Sequence, residues 1–138
     1  MATVKELIRI EDNGRISFGD YELEAKTKLA DFEFAGDVYK VKTFCEITKF
    51  EKNDMLLYES VPGTAVLGLT VKEEGMNFVV SGPNDAQITV ELEADTAYQV
   101  ILDGNDIGHM STNLGGKLSF SVELENDKDV AVAIQKIE

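Results

Sequence analysis

Apolar and polar residues alternate along most of this chain, with the period of β-strands. In residues 117–124 the apolar positions fall on every second residue: Leu118, Phe120, Val122 and Leu124. Residues 86–93 and 129–137 repeat the alternation. Successive side chains of a strand point to opposite faces, so such a segment buries one face and exposes the other. The pattern predicts an all-β protein.

Short segments rich in glycine, asparagine and aspartate separate the alternating stretches, and these residue types favour tight turns. Examples are EDNG, EKND, SGPND, LDGND and NLGG. The strands predicted between the turns cover residues 4–10, 15–18, 20–26, 31–35, 38–44, 47–51, 55–60, 64–71, 76–81, 86–93, 97–102, 107–112, 117–124 and 129–137. Short strands with regularly spaced turns are typical of a β-sandwich, here of Greek-key or jelly-roll type. Residues 48–60 could form a helix instead, but Asn53 and Asp54 favour a hairpin.

The length of 138 residues suits a single β-rich domain, 1–138. The character of the chain changes near residue 62, because both arginines and eight of the eleven aromatic residues precede it. Two β-layers or subdomains, 1–61 and 62–138, therefore remain open as an alternative.

The charge restricts the partners. The chain has 13 basic and 26 acidic residues and a net charge of −13. Such a surface repels nucleic acids and anionic membranes, so we expect neither as a partner. The start of the chain carries charges at Lys5, Glu6 and Arg9 instead of the apolar core of a signal peptide, and no apolar run is long enough to span a membrane. Cys45 is the only cysteine, which excludes an internal disulfide. We expect a cytoplasmic protein.

The segment LDGND contains the residues that a metal ion would use if one bound, Asp103, Asn105 and Asp106. A calcium loop of the EF-hand type starting at Asp103 would place Ile107 and Leu114 where oxygen ligands are required. The pair Asp-Gly between alternating stretches is instead a strong hairpin signal. We interpret the segment as a turn and predict no metal and no cofactor.

The sequence contains little that indicates catalysis. His109 is the only histidine, and with one cysteine it cannot complete an ordinary zinc site. Asp106, His109 and Ser111 have the atoms of a nucleophilic triad, but they lie within six residues and triad members normally come from separate elements. Paired glutamates such as Glu91 and Glu93 lie on the same, solvent-exposed face of a predicted strand, which is typical of a sheet with one face in water. We predict that the protein is not an enzyme.

A group of basic residues, Lys40, Lys42, Lys49 and Lys52, stands out in this acidic chain. Lysines on an edge strand or an exposed strand discourage edge-to-edge pairing of sheets, and this is our interpretation of them. The alternative is an anion-binding patch.

Residues 39–66, YKVKTFCEITKFEKNDMLLYESVPGTAV, resemble a group of short bacterial β-rich proteins that carry the label endosialidase. The resemblance covers most of the chain and implies a glycoside hydrolase acting on sialic acid. Sialidases hold the sialic-acid carboxylate with three arginines, whereas this chain has only Arg9 and Arg15. The residues YQVILDG and GKLSFSVEL, between 98 and 124, are similar to the last strands of Ig-like accessory domains, which bears on fold alone.

Two segments, residues 61–71 and 129–137, are apolar on both faces of a predicted strand. A strand that is apolar on both faces needs cover on both, and a second copy of the chain can supply the outer cover. The candidate interface residues are Ala65, Leu67, Leu69, Val71, Val130, Val132 and Ile134. The N-terminal strands of the same chain could cover these segments instead.

We therefore predict a non-catalytic cytoplasmic structural or protein-interaction module that forms a homo-oligomer. A small-ligand or carbohydrate-binding module is the alternative, and a glycoside hydrolase comes third. A binding module should show a groove with exposed aromatic side chains. An assembly module should show an apolar sheet face or a sheet edge that a second copy can cover.

Overall fold

The computed structural model describes residues 3–125 and 128–137, and the regular elements of this part are all β-strands. The predicted β-sandwich is confirmed: two antiparallel sheets pack against each other. The large sheet contains, in spatial order, β1 (Ile8–Ile10), β2 (Ile16–Phe18), β7 (Ala65–Lys72), β8 (Gly75–Ser81), β13 (Val130–Lys136), β10 (Ala97–Leu102) and β11 (Asn105–Ser111). The small sheet contains, in spatial order, β12 (Lys117–Val122), β9 (Ala86–Glu91), β6 (Met55–Val61), β5 (Ile47–Lys52), β4 (Asp37–Phe44) and β3 (Thr27–Phe34).

Turn chemistry decides the hairpins. Asn53 and Asp54 join β5 to β6 with φ angles of 52° and 66°, so the alternative of a helix in this region is wrong. Asp103 and Gly104 join β10 to β11 with φ angles of 50° and 81°. Two consecutive positive φ values are those of a type I′ turn, which matches the twist of the flanking strands.

The prediction of a strand over 20–26 is wrong, because the structure has turns and bends there. The strand predicted over 31–35 forms the second half of the longer β3. In the first segment the carboxylate of the buried Asp20 accepts a hydrogen bond from the Glu22 N–H at 3.0 Å, a contact that favours a turn. Within β3 a bulge lies between Leu29 and Phe32, where Asp31 has a φ of 60°. The bulge shifts the alternation of buried and exposed residues by one position. In the sequence this shift looks like the end of one strand and the start of another.

The two sheets do not correspond to the segments 1–61 and 62–138, because each segment contributes strands to both sheets. The chain changes sheets after β2, β6, β8, β9, β11 and β12. One buried cluster joins the sheets, and it includes Phe18, Phe50, Tyr58, Phe78, Val80, Ile88, Val90, Val100, Phe120 and Ile134. None of the described residues forms a helix that could cross a membrane.

Candidate functional site

A bulge in β7 changes which of its residues face the core. The register of β7 against β8 shifts between Leu67 and Thr70, and Gly68 has a φ of 64°. Val66 and Leu69 are therefore both buried, while Leu67 lies on the outer face. The expectation that Ala65, Leu67, Leu69 and Val71 share one face is wrong. A glycine inside a strand pattern is a known signal of a bulge, and Gly68 carries that signal.

Most of the candidate interface residues lie in the core. Four of them are buried between the two sheets: Leu69, Val130, Val132 and Ile134. The opposite sheet of the same chain covers these four, so they cannot contact a second copy of the folded protein. Ala65 is also buried, but on the face opposite to that of its core neighbour Val66. Leu67 is half-buried on the outer face and Val71 is 47% exposed. The surface available for contact is thus the reverse side of the same strands.

A depression of about 560 Å³ lies on this reverse side, across the middle of the large sheet. It crosses the adjacent strands β7, β8, β13 and β10. Its apolar floor consists of Leu67, Val79, Ile101, Ala131 and Ala133, and the polar Asn77 lies on the same face opposite Ala133. The two alanines lie between larger neighbours, so the surface is concave at β13. The depression is an apolar surface in the centre of a sheet face, and we call it the outer depression.

One rim of the outer depression is fixed by a hydrogen-bond network around Glu11. The N–H of Gly68, freed from the ladder by the bulge, donates to Ser17 Oγ at 3.0 Å. Ser17 Oγ donates to Glu11 Oε2 at 2.5 Å, and Arg9 Nη2 donates to the same oxygen at 3.0 Å. The guanidinium of Arg9 and then the hydroxyl of Ser17 hold the pKa of the Glu11 carboxyl below its usual value. The network gives the Gly68 N–H at the bulge a hydrogen-bond partner, and Arg9 balances the negative charge of Glu11.

Arg15 is the remaining cation on that rim. Its side chain crosses the surface over Gly68, where a Cβ atom would lie 3.7 Å from Arg15 Cδ. Within residues 3–125 and 128–137 the Arg15 guanidinium has no ion pair within 4.0 Å. The rim beside β2 therefore presents an unpaired positive charge.

The opposite rim contains the hairpin predicted for LDGND. The N–H of Asp103 donates to the Ala131 carbonyl at 2.8 Å, and Asp103 Oδ1 accepts from the Ala131 N–H at 2.8 Å. This double contact ties the turn to β13. Gly104 also lines the outer depression. The aspartate acts here as a structural residue of the turn.

The carboxylate of Asp106 is also occupied by protein donors. Its Oδ2 accepts from Gln99 Nε2 at 2.8 Å and its Oδ1 from the Gly108 N–H at 2.8 Å. These two hydrogen bonds, Gln99 first, lower the pKa of Asp106. Across the described part of the chain, no three histidine, cysteine, aspartate or glutamate side chains lie close enough to hold a metal ion. The carboxylates of Asp103 and Asp106 thus already have protein hydrogen-bond partners.

Asp106, His109 and Ser111 all lie on β11. They are paired across to different residues of β10, namely Ile101, Gln99 and Ala97. At the rise of a strand, about 3.3 Å per residue, Asp106 and Ser111 are separated by roughly 16 Å along β11. The three residues do not converge into a triad.

A second cavity, the end cleft, has a volume of about 320 Å³ and opens between the sheets. Its lining includes Phe34, Tyr39, Arg15 and Lys52. In the part of the chain that the structure describes, no group hydrogen-bonds to the Tyr39 hydroxyl, and burial, followed by the charge of Asp37, raises its pKa. Lys52 Nζ lies 3.6 Å from Asp37 Oδ2. The end cleft thus combines aromatic side chains with basic groups.

Comparison of the chain with protein families, with curated proteins and with solved structures found no match.

Proposed function

We propose that the protein is a non-catalytic interaction module that self-associates through the outer depression of the large sheet. The observation that carries this proposal is the apolar floor of Leu67, Val79, Ile101, Ala131 and Ala133 in the centre of a sheet face. A protein with a net charge of −13 gains solubility from charged residues, yet none stands on this floor. Contiguous apolar surface with a polar rim is characteristic of protein contacts.

The charges on the two rims favour a second copy as the occupant. Arg15 lies beside β2 at one side, and Asp106 lies on β11 at the other. A twofold axis parallel to the strands exchanges these sides, so each Arg15 would face the Asp106 of the other copy. Such a contact is isologous and closes as a dimer. The small residues of β13 let the two sheet faces approach.

Sedimentation velocity and light scattering test the proposal. We expect a dimer at micromolar concentration, and Leu67→Asp or Ala133→Asp should shift it towards monomer. Leu114→Asp is the matched control, because Leu114 is 87% exposed and lies outside the outer depression. Val132→Asp is unsuitable, since Val132 is buried and the substitution would unfold the core. A strictly monomeric wild type at high micromolar concentration would contradict the proposal.

A charge exchange tests the orientation of the dimer. Arg15→Asp and Asp106→Arg should each weaken the dimer at low salt, and the double variant should restore it. Restoration requires the two residues to face each other across the interface. If the double variant is weaker than both single variants, the axis parallel to the strands is wrong.

The end cleft supports a second candidate function, the binding of a small acidic ligand such as a sugar acid. The specific observation is that Tyr39, whose hydroxyl has no hydrogen-bond partner among the described residues, lines the same cleft as Arg15 and Lys52. An open aromatic platform for neutral sugars is missing from the described surface, where the exposed large apolar side chains are all aliphatic: Val38, Met55, Val61, Val71, Ile107 and Leu114.

NMR titration with glucuronate and with glucose separates this candidate from the first. We expect shifts of amides around Tyr39 with glucuronate alone, lost in Tyr39→Phe and Lys52→Gln. Leu67→Asp should weaken a dimer and leave these shifts unchanged. Equal shifts with both sugars, or with neither, would remove the end cleft as an acidic-ligand site.

A further inference from the structure

Three lysines stand directly opposite one another on the outer face of the small sheet. The register pairs Lys28 of β3 with Lys42 of β4, and Lys42 with Lys49 of β5. Lys40 lies two residues from Lys42 and therefore on the same face. We call Lys28, Lys40, Lys42 and Lys49 the lysine row.

This arrangement is unfavourable for the isolated protein. Like charges directly opposite in an antiparallel pair destabilise it. Desolvation first, and then the charges of Lys26, Lys49 and Lys28, lower the pKa of Lys42. The acidic groups nearest in register are Glu51, opposite Lys40, and Glu59, opposite Lys49.

The lysine row is also unpaired, although the chain has twice as many acidic as basic residues. Among residues 3–125 and 128–137, none of the four lysines has a carboxylate oxygen within 4.0 Å. Lys5, Arg9, Lys52 and Lys136 do form ion pairs by the same criterion. The lysine row thus places four cations without an ion pair on one face of the small sheet.

Protection of a sheet edge does not account for the lysine row. Only β3 lies at an edge, whereas β4 and β5 have hydrogen-bonded neighbours on both sides. Edge protection therefore applies to Lys28 and not to Lys40, Lys42 or Lys49. A position at a sheet edge, one of the two that the sequence left open for Lys40, Lys42, Lys49 and Lys52, is therefore wrong for all four.

The side chains of the lysine row surround a hollow of about 80 Å³, with Glu51 as the remaining lining residue. Since a water molecule takes about 30 Å³ of liquid volume, the hollow has room for a small anion of a few heavy atoms. Ammonium groups act as point charges towards phosphate oxygens and form short charge-assisted hydrogen bonds with them.

We propose that the lysine row is a binding site for a small, multiply charged oxyanion of the phosphate class, free or as the terminal group of a small ligand. Electrostatic screening limits the site to compact anions. Charges more than about 8 Å apart are largely screened at physiological salt, so an anion in the hollow interacts mainly with the surrounding lysines. A long polyanion would extend beyond them over the acidic remainder of the surface.

Thermal unfolding in sodium phosphate and in sodium chloride of equal ionic strength tests the site. We expect the midpoint of the wild type to rise further in phosphate than in chloride. Lys42→Gln should raise the midpoint in chloride, because it removes like-charge repulsion, and should abolish the additional rise in phosphate. These opposite effects distinguish a binding lysine from a merely structural one. Lys117→Gln, on the exposed surface of β12 in the same sheet, is the control and should keep the phosphate response.

Calorimetric titration measures the affinity of the lysine row for phosphate. It also shows whether the site binds free phosphate or a phosphorylated ligand. Inorganic phosphate and glucose 6-phosphate are titrated separately, with glucose as the blank, and both Lys42→Gln and Lys49→Gln should weaken binding at least tenfold. Binding of both probes assigns the site to the phosphate group alone, and binding of glucose 6-phosphate alone assigns it to a phosphorylated ligand. If neither probe binds, and phosphate raises the unfolding midpoint no more than chloride does, salt acts only by screening the repulsion between the lysines. The proposal is then wrong. Leu67→Asp should leave the titration unchanged, so the result is independent of self-association.

Discussion

The ring of Phe18 lies parallel to the ring of Phe50, with centroids 4.0 Å apart and planes inclined by 5°. Phe18 belongs to the large sheet and Phe50 to the small one, so this stack joins the two layers. Tyr58 meets the edge of Phe18 at 5.3 Å, and Tyr39 stacks on the other side of Phe50 at 5.4 Å. Four of the eight aromatic residues in the first half of the chain thus lie at the centre of the sandwich.

Phe50→Ala should destabilise the protein by about 3–5 kcal/mol, because it removes a fully buried ring from the stack. Leu114→Ala is the control and should change the free energy of unfolding very little, since Leu114 is 87% exposed. Urea unfolding measures both. A loss similar to that of Leu114→Ala would mean that Phe50 does not lie between the sheets.

The Thr48 hydroxyl is the centre of a buried polar network. It donates to the Thr64 carbonyl at 2.7 Å and accepts from the Thr64 N–H at 3.1 Å. Its single proton is therefore used, so the Thr43 hydroxyl, 2.8 Å away, must donate to it. Thr43 Oγ1 in turn accepts from the Asp20 N–H at 3.0 Å. The network connects the loop before β3 to β4, β5 and the loop before β7.

Thr48→Val keeps the shape of the side chain and removes the three hydrogen bonds of the Thr48 hydroxyl, those with Thr43, the Thr64 carbonyl and the Thr64 N–H. Each buried polar group left without a partner costs about 1–3 kcal/mol, so we expect a loss of at least about 2 kcal/mol in unfolding experiments. Thr89→Val is matched to it, because Thr89 also bonds a hydroxyl, that of Ser119 at 2.8 Å, but on the exposed face. Equal effects of the two substitutions would show that Thr48 is accessible to water.

Glu11 should contribute to a dependence of stability on pH. Arg9 and Ser17 lower its pKa in the folded protein, so the contribution is present above the unfolded pKa and is lost as the pH falls through the folded value. We therefore expect Glu11→Gln to be less stable than the wild type at neutral pH, with a difference that shrinks on acidification. Urea unfolding at a series of pH values measures this difference. Glu33→Gln controls for the loss of one negative charge, and an equal pH dependence in that variant would contradict the assignment to Glu11.

Calcium at millimolar concentration should leave the melting temperature nearly unchanged. Protein donors already bond Asp103 Oδ1 and both carboxylate oxygens of Asp106, and among the described residues no third carboxylate lies close to them, so the turn does not offer the six to eight oxygen ligands that calcium takes. A bound ligand at a hundred times its dissociation constant adds about 2.7 kcal/mol, which is readily detected by calorimetry. Magnesium at the same concentration is the control for ionic strength, and a rise of several degrees specific to calcium would overturn the interpretation of LDGND as a turn.

Local chemistry made part of this fold predictable. The alternation in residues 117–124 is a property of adjacent residues, and β12 buries Leu118, Phe120 and Val122 as predicted. The turns at Asn53-Asp54 and Asp103-Gly104 are likewise decided by the residues inside them, because these residue types tolerate positive φ. Such features depend on the sequence within a few residues and can be read from it directly.

The pairing of distant strands decided the rest. Gly68 marks the bulge in β7, but its N–H is satisfied by Ser17, which is 51 residues away in the sequence, and the bulge determines that Leu69 is buried and Leu67 is not. The row formed by Lys28, Lys42 and Lys49 exists only because three strands align in one register, with two of them inside a sheet. The alternation of a sequence specifies that a strand has two faces. Which face is covered, and which residues become neighbours on it, follows from long-range packing of the whole chain.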